Sequence, residues 1–84
     1  MPYQVVLPKR VQKDLDRIDQ RLASKIKAAL LALADNPYLG KKLEGKYKSL
    51  FSYRVWPYRI IYEIKNKELV VLIVRIAHRQ GAYS

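Results

Sequence analysis

The stretch FSYRVWPYRIIYEI, residues 51–64, decides how this chain folds. Aromatic and β-branched residues fill it, which suits strands on a half-buried pleated surface. Pro57 interrupts it, because a residue without an N–H cannot continue a ladder. With Trp56-Pro57 as the tip of a tight hairpin, Val55 faces Tyr58 and Arg54 faces Arg59. Successive side chains of a strand point to opposite faces. Phe51, Tyr53, Val55, Tyr58, Ile60, Tyr62 and Ile64 therefore share one face, the natural one to pack under helices, and the two arginines stand opposite each other on the other. Like charges so placed are destabilising by up to about 1 kcal/mol.

Toward the C-terminus, Leu69 to Ala77 is another apolar run of strand length, separated from the first hairpin near Asn66-Lys67. Taking those two residues as the next tip sets Ile64 against Leu69 and Arg59 against Val74. His78 then falls on the arginine face, with Arg79 just after it. The same register sends Arg75 toward the helix side, where a guanidinium needs a partner or an edge position. A bulge or a one-residue slip would reverse these faces.

Toward the N-terminus, Tyr38 to Lys48 contains Gly40, Gly45 and the lysines Lys41, Lys42, Lys46 and Lys48, and reads as a basic loop. Ahead of it, Val11, Leu15, Ile18 and Leu22 recur at helical spacing, and the apolar stripe continues through Ile26, Ala29, Leu30 and Leu33. Asp19 divides the stripe as a helix N-cap. The pattern predicts one helix from Lys9 to about Ile18 and a second that ends at Asp35-Asn36-Pro37, where the residue before proline leaves the helical region. Tyr3 to Leu7 reads as a short first strand, with Pro8 as the first helical residue. The order β-α-α-β-β-β predicts an α+β fold, a small antiparallel meander with a two-helix hairpin packed on one face.

A chain of 84 residues, half of them hydrophobic, has room for one core, so residues 1–84 are expected to form a single domain. The 17 Lys and Arg against 7 Asp and Glu give a formal charge of +10, which attracts polyanions or acidic protein segments. Absence of Cys removes disulfides and thiolate chemistry and suits a reducing cytosol, so a cytoplasmic location is expected. No run approaches the roughly 18 apolar residues of a membrane span, and Met1-Pro2-Tyr3-Gln4 opens without a basic segment leading an apolar run, so neither a span nor a signal is expected. Seven scattered carboxylates and a lone His make no metal site, no cofactor motif and no Ser-His-Asp arrangement.

Two motifs carry a resemblance. Tyr58 to Ile64, written YRIIYEI, and the ending VRIAHRQGAY, residues 74–83, closely resemble the RelE family of toxins. The element order, the Leu43-Glu44-Gly45 loop, the Tyr53-Arg54-Val55 strand end and the His-Arg pair followed by a Tyr extend it over nearly the whole chain. RelE and ParE toxins share one fold superfamily, and fold is the surer inference from such a match. The resemblance implies a type II toxin that cuts messenger RNA on the ribosome and is silenced by a companion antitoxin. It also assigns residues. Arg59 matches the strand arginine that stabilises the cleaved phosphate, Arg79 a later arginine that contacts the phosphate or leaving group, and Tyr83 the terminal tyrosine that acts as general base. Arg54 and His78 align with positions that are often polar or basic. The chain departs from the family where relatives carry lysines along a strand: here the region reads KYKSLFS, residues 46–52.

Such chemistry needs little from the protein. RNA supplies its own nucleophile, the 2′-hydroxyl, leaving a base, cations for the gathering negative charge and a proton donor. No metal is required. Tyr has an ordinary pKa of about 10, so Tyr83 needs cations such as Arg59, Arg79 or His78 to favour its phenolate. His78 reads first as a hydrogen-bonded surface residue and second, as imidazolium, as a proton donor. Lys41, Lys42, Lys46 and Lys48 read as a solvated surface or one that contacts ribosomal RNA. Trp56 at a hairpin tip is open to packing or to base stacking. Two other activities fit the same fold: inhibition of DNA gyrase in the manner of ParE, and binding of RNA or an antitoxin without catalysis.

Overall fold

A computed structural model describes residues 2–79. In chain order the elements are β1 (Gln4–Val6), α1 (Lys9–Asp16), α2 (Gln20–Asp35), β2 (Lys41–Lys42), β3 (Phe51–Val55), β4 (Tyr58–Lys65) and β5 (Val70–His78), with short 3-10 turns at Pro37–Leu39 and Gly45–Tyr47. Pro8 stands at the N-cap of α1, one position before the first helical residue. Tight bonds from Arg17 N to Asp14 O (3.2 Å) and from Ile18 N to Leu15 O (3.1 Å) close α1 earlier than the apolar stripe suggests. Asp19 caps α2 as expected, its carboxylate accepting from Arg21 N at 2.9 Å. Asn36 ends α2 in an extended conformation, and its side chain accepts from Tyr38 N at 3.1 Å, which starts the following turn.

The sheet has the order β1-β5-β4-β3-β2. β3 to β5 form the expected antiparallel meander, β2 adds a short antiparallel strand from the segment read as a loop, and β1 pairs with β5 in parallel, Val5 opposite Val71, so the sheet is mixed. The meander leaves one edge of β5 unpaired, and the short run Gln4–Val6 satisfies it. Tyr3 N donates to Ala34 O at 3.1 Å and Gln4 N to Leu69 O at 2.8 Å, tying that edge to the end of α2 and the last turn.

The β3–β4 hairpin has the register read from sequence, Val55 opposite Tyr58 and Arg54 opposite Arg59. The β4–β5 hairpin does not. Its turn takes four residues, 66–69, closed by Leu69 N to Asn66 O at 3.2 Å, so Ile64 faces Val71 instead of Leu69. A bulge then shifts the register between Ile61 and Tyr62: Tyr62 faces Ile73, whereas Ile61 faces Arg75 and Arg59 faces Ala77. Val74 is the extra residue. Ile73 is 0% exposed and Ile76 6%, and both belong to the core. Residues three apart cannot share a face in a regular strand, so burying both requires an inserted residue. The insertion also frees Arg75 from the helix side, where its charge would be costly.

Both helices cover one face. Val11, Leu15, Ala23, Ile26, Leu30 and Leu33 pack against Ile60, Tyr62, Val71, Ile73 and Ile76, with Phe51, Tyr53, Val55, Tyr58 and Ile64 partly buried around them. That set includes every β3 and β4 residue the alternation predicted for this face.

Candidate functional site

The other face of the sheet is cationic. Register places Lys41, Ser52, Ile61 and Arg75 in one row across β2, β3, β4 and β5, and Arg54, Arg59 and Ala77 in the next. Arg79 continues the second hairpin, its N–H donating to Pro57 O at 2.8 Å, so it belongs to the same face as Arg59. At that end Trp56 draws two of these residues together: the guanidinium of Arg54 lies 5.7 Å and that of Arg79 5.1 Å from its ring centroid. Cations within about 6 Å of an indole are attracted to its face.

Between the charges lies a thin covered strip. Ile61 and Ala77 are each 4% exposed and Ser52 5%, although no helix packs on this side. The long side chains that surround them by register are Lys41, Arg54, Arg59 and Arg75. Ser52 Oγ is buried without a hydrogen-bond partner among the described residues. Glu63, further along this face, is paired with Lys65 at 3.8 Å.

The bulge decides which sequence candidates meet. Arg54, Arg59 and Arg79 come together as expected. His78 does not join them: it faces Tyr58, whose ring it meets edge-on at 5.5 Å, on the helix side of the sheet. Arg75, expected beneath the helices, takes a place on the arginine face and is exposed. Tyr83 lies outside the described residues.

The basic loop divides as well. Lys41 pairs with Ser52 on the arginine face, and Lys42 pairs with Phe51 on the other. Lys48 lines a shallow cleft with Lys42, Tyr38, Phe51 and Ile64 on that second side. Lys46 sits on the Gly45–Tyr47 turn, its ammonium 5.3 Å from the Tyr47 ring. So Lys41, not Lys46 or Lys48, has the register that adds to the arginine cluster.

A core residue delivers Lys41 there. The Tyr62 hydroxyl donates to Pro37 O at 2.7 Å and accepts from Gly40 N at 3.0 Å, fastening the segment just before β2. Burial pushes this phenol up to about 12, against the lowering effect of the Gly40 N–H, and nearby Tyr53 adds slightly. Tyr62 is thus a neutral pin. Gly40 is required by close approach: a Cβ there would collide with the Tyr62 hydroxyl and lie 2.9 Å from Ser52 O.

Sequence reasoning missed Arg75, Ser52 and the separation of Lys41 from its neighbours. The signal for Arg75 was present, since a charge inside an apolar strand argues for a bulge that turns it outward.

A family model described as "ParE toxin of type II toxin-antitoxin system, parDE" matches residues 5–83. The chain belongs to the RelE/ParE superfamily of type II toxins. Among curated relatives, Toxin RelG of Mycobacterium tuberculosis is 33% identical over 99% of this chain and 98% of its own length. Toxin RelE of the same organism is 32% identical over 98% of this chain and 87% of its own. The toxin in the crystal structure of the toxin-antitoxin complex RelBE2, also from M. tuberculosis, superposes with a TM-score of 0.86 and 28% identity, covering 94% of this chain and 100% of that one. These relatives set the toxin within the RelE family. Among the described residues of this toxin, no helix is long and apolar enough to cross a membrane and no group of three or more His, Cys, Asp or Glu is gathered for a metal ion.

Proposed function

We propose that this toxin is a ribosome-dependent endoribonuclease that cuts messenger RNA without a metal and so halts translation in the cytoplasm. The observation that carries the proposal is the gathering of Arg54, Arg59, Arg75 and Arg79 on the face of the sheet that the helices leave uncovered. In this reading Arg59 grips the scissile phosphodiester and neutralises the charge that builds as the RNA 2′-oxygen attacks phosphorus. Tyr83 takes the 2′-hydroxyl proton, its phenolate favoured by the arginines. The bond from phosphorus to the 5′-oxygen breaks, leaving a 2′,3′-cyclic phosphate. Arg79 offsets charge on the leaving oxygen, and solvent supplies its proton, because His78 faces the other side of the sheet. Arg54 and Lys41 hold flanking phosphates, and the lysines of residues 42–48 face ribosomal RNA. The fold unit is the whole of residues 1–84.

A companion antitoxin is the second partner. The solved RelBE2 relative is a toxin-antitoxin complex, and a formal charge of +10 suits an acidic or amphipathic segment wrapped around the toxin.

The test is translation in a purified system with mapping of message ends. The wild type should cut within translated messages, Arg59→Ala should leave them intact and Tyr83→Phe should cut far less. Intact messages with the wild type would overturn the proposal. A second activity is favoured by one observation, that the matching family model is that of ParE: inhibition of DNA gyrase by protein binding. It predicts gyrase poisoning with untouched messages.

A further inference from the structure

We propose that the exposed ring of Trp56 is a stacking platform for a nucleobase of single-stranded RNA, next to the phosphate held by Arg59. The inference rests on the reading of the arginine face as the phosphate-gripping surface. Trp56 is 57% exposed at the tip of the β3–β4 hairpin, outside the hydrophobic core. The two guanidiniums drawn to it lie 5.7 and 5.1 Å from the ring centroid and leave more than half of the residue open to solvent. Its position along the hairpin matters as much as its exposure. Arg54 is two residues before it and Arg79 hydrogen-bonds the next residue, Pro57, so the ring borders the cationic face directly. A flat apolar surface beside fixed cations is the arrangement by which proteins hold single-stranded nucleic acid, bases on aromatic rings and phosphates on arginines. A guanidinium that leaves the ring to meet a phosphate vacates area for the adjoining base. Stacking is tolerant of base identity and stronger for larger π-surfaces, so a purine is preferred at this subsite.

Trp56 is the chain's single tryptophan, and its emission therefore reports on this position alone. The experiment compares two short oligomers of 2′-O-methyl RNA, which lacks the nucleophile: one purine-bearing, the other abasic with the same phosphates. Binding is followed by calorimetry and by fluorescence on the full chain freed of its antitoxin. The purine oligomer should quench Trp56 and bind on the order of tenfold more tightly than the abasic one. The abasic oligomer should bind without quenching. Trp56→Leu should hold both oligomers as the wild type holds the abasic one, with its melting temperature checked. Equal affinity of the two oligomers for the wild type, without quenching by bases, would overturn stacking and leave the phosphate-gripping face intact. Equal weakening of both by Trp56→Leu would also overturn it, making the ring a support for the arginines. Binding of neither would remove the arginine-face reading and the inference together. The wild-type comparison stands without any variant.

Discussion

The two faces of one sheet are made from alternate residues of the same strands and do opposite work. On the helix side, Ile60, Tyr62, Val71 and Ile73 are all 0% exposed. On the other side, small or aliphatic residues neighbour cations in the register, and Arg54 faces Arg59 directly. The first arrangement lowers the free energy of the folded state by burying apolar surface. The second raises it through like-charge repulsion. A sheet of this size can carry such a face because its stability is drawn from the opposite side, where the helices lie. Substitutions on the two faces should therefore separate into those that move stability and those that move activity.

The largest separation is expected at Ile73. Ile73→Ala should cost about 2–5 kcal/mol of unfolding free energy, seen as a lowered urea midpoint with an unchanged slope. A cost below about 1 kcal/mol would mean that the core is not where the bulge places it. Arg59→Ala is the counterpart on the other face. Cleavage of translated messages should fall on the order of 10²–10³-fold, with the urea midpoint unchanged or slightly raised by relief of the repulsion with Arg54. Loss of folding in that variant would erase the contrast.

Tyr62 sharpens the comparison because it serves both sides, packing under the helices while pinning the segment that brings Lys41 to the arginine face. Tyr62→Phe should cost about 1–3 kcal/mol near neutral pH by orphaning Gly40 N and Pro37 O. The phenol rises from an ordinary value of about 10 to about 12 in the folded protein. Its contribution is present in full below the unfolded value and is lost as pH rises through the folded one. The stability gap between wild type and Tyr62→Phe should accordingly narrow between those two values in denaturation at successive alkaline pH. A gap that stays constant would refute the pin. The smallest effect is expected at Lys41, where Lys41→Ala should weaken RNA binding uniformly across sequences and lower the slope of log affinity against log salt by about one. Lys42→Ala, on the other face, should leave that slope unchanged for isolated RNA.

Much of this contrast is legible in the sequence. The alternation of apolar residues from Phe51 to Ile64 determined one complete face, and the two-residue tip at Trp56-Pro57 left a single pairing, so the confrontation of Arg54 with Arg59 followed. Asp19 marked the start of α2, and Asn36-Pro37 its end, because capping and the steric demand of proline are local. The family motifs pointed to Arg79 as a third member of the cluster. These features depend on residues close in sequence, whose geometry is nearly fixed by bond rotation and hydrogen bonding.

What tertiary structure alone decided has a different origin. The bulge at Val74 exists because Ile73 and Ile76 must both enter a core built by helices far away in the chain, and that demand exchanged His78 for Arg75 on the cationic face. β1 joined β5 in parallel because the meander left an edge that only the N-terminal strand could cover. Lys41 parted from Lys42 because Tyr62, buried 22 residues along the sequence, holds Gly40 by a hydrogen bond. In each case the deciding partner is remote, and its burial free energy outweighs the local preference for an unbroken strand or a free loop.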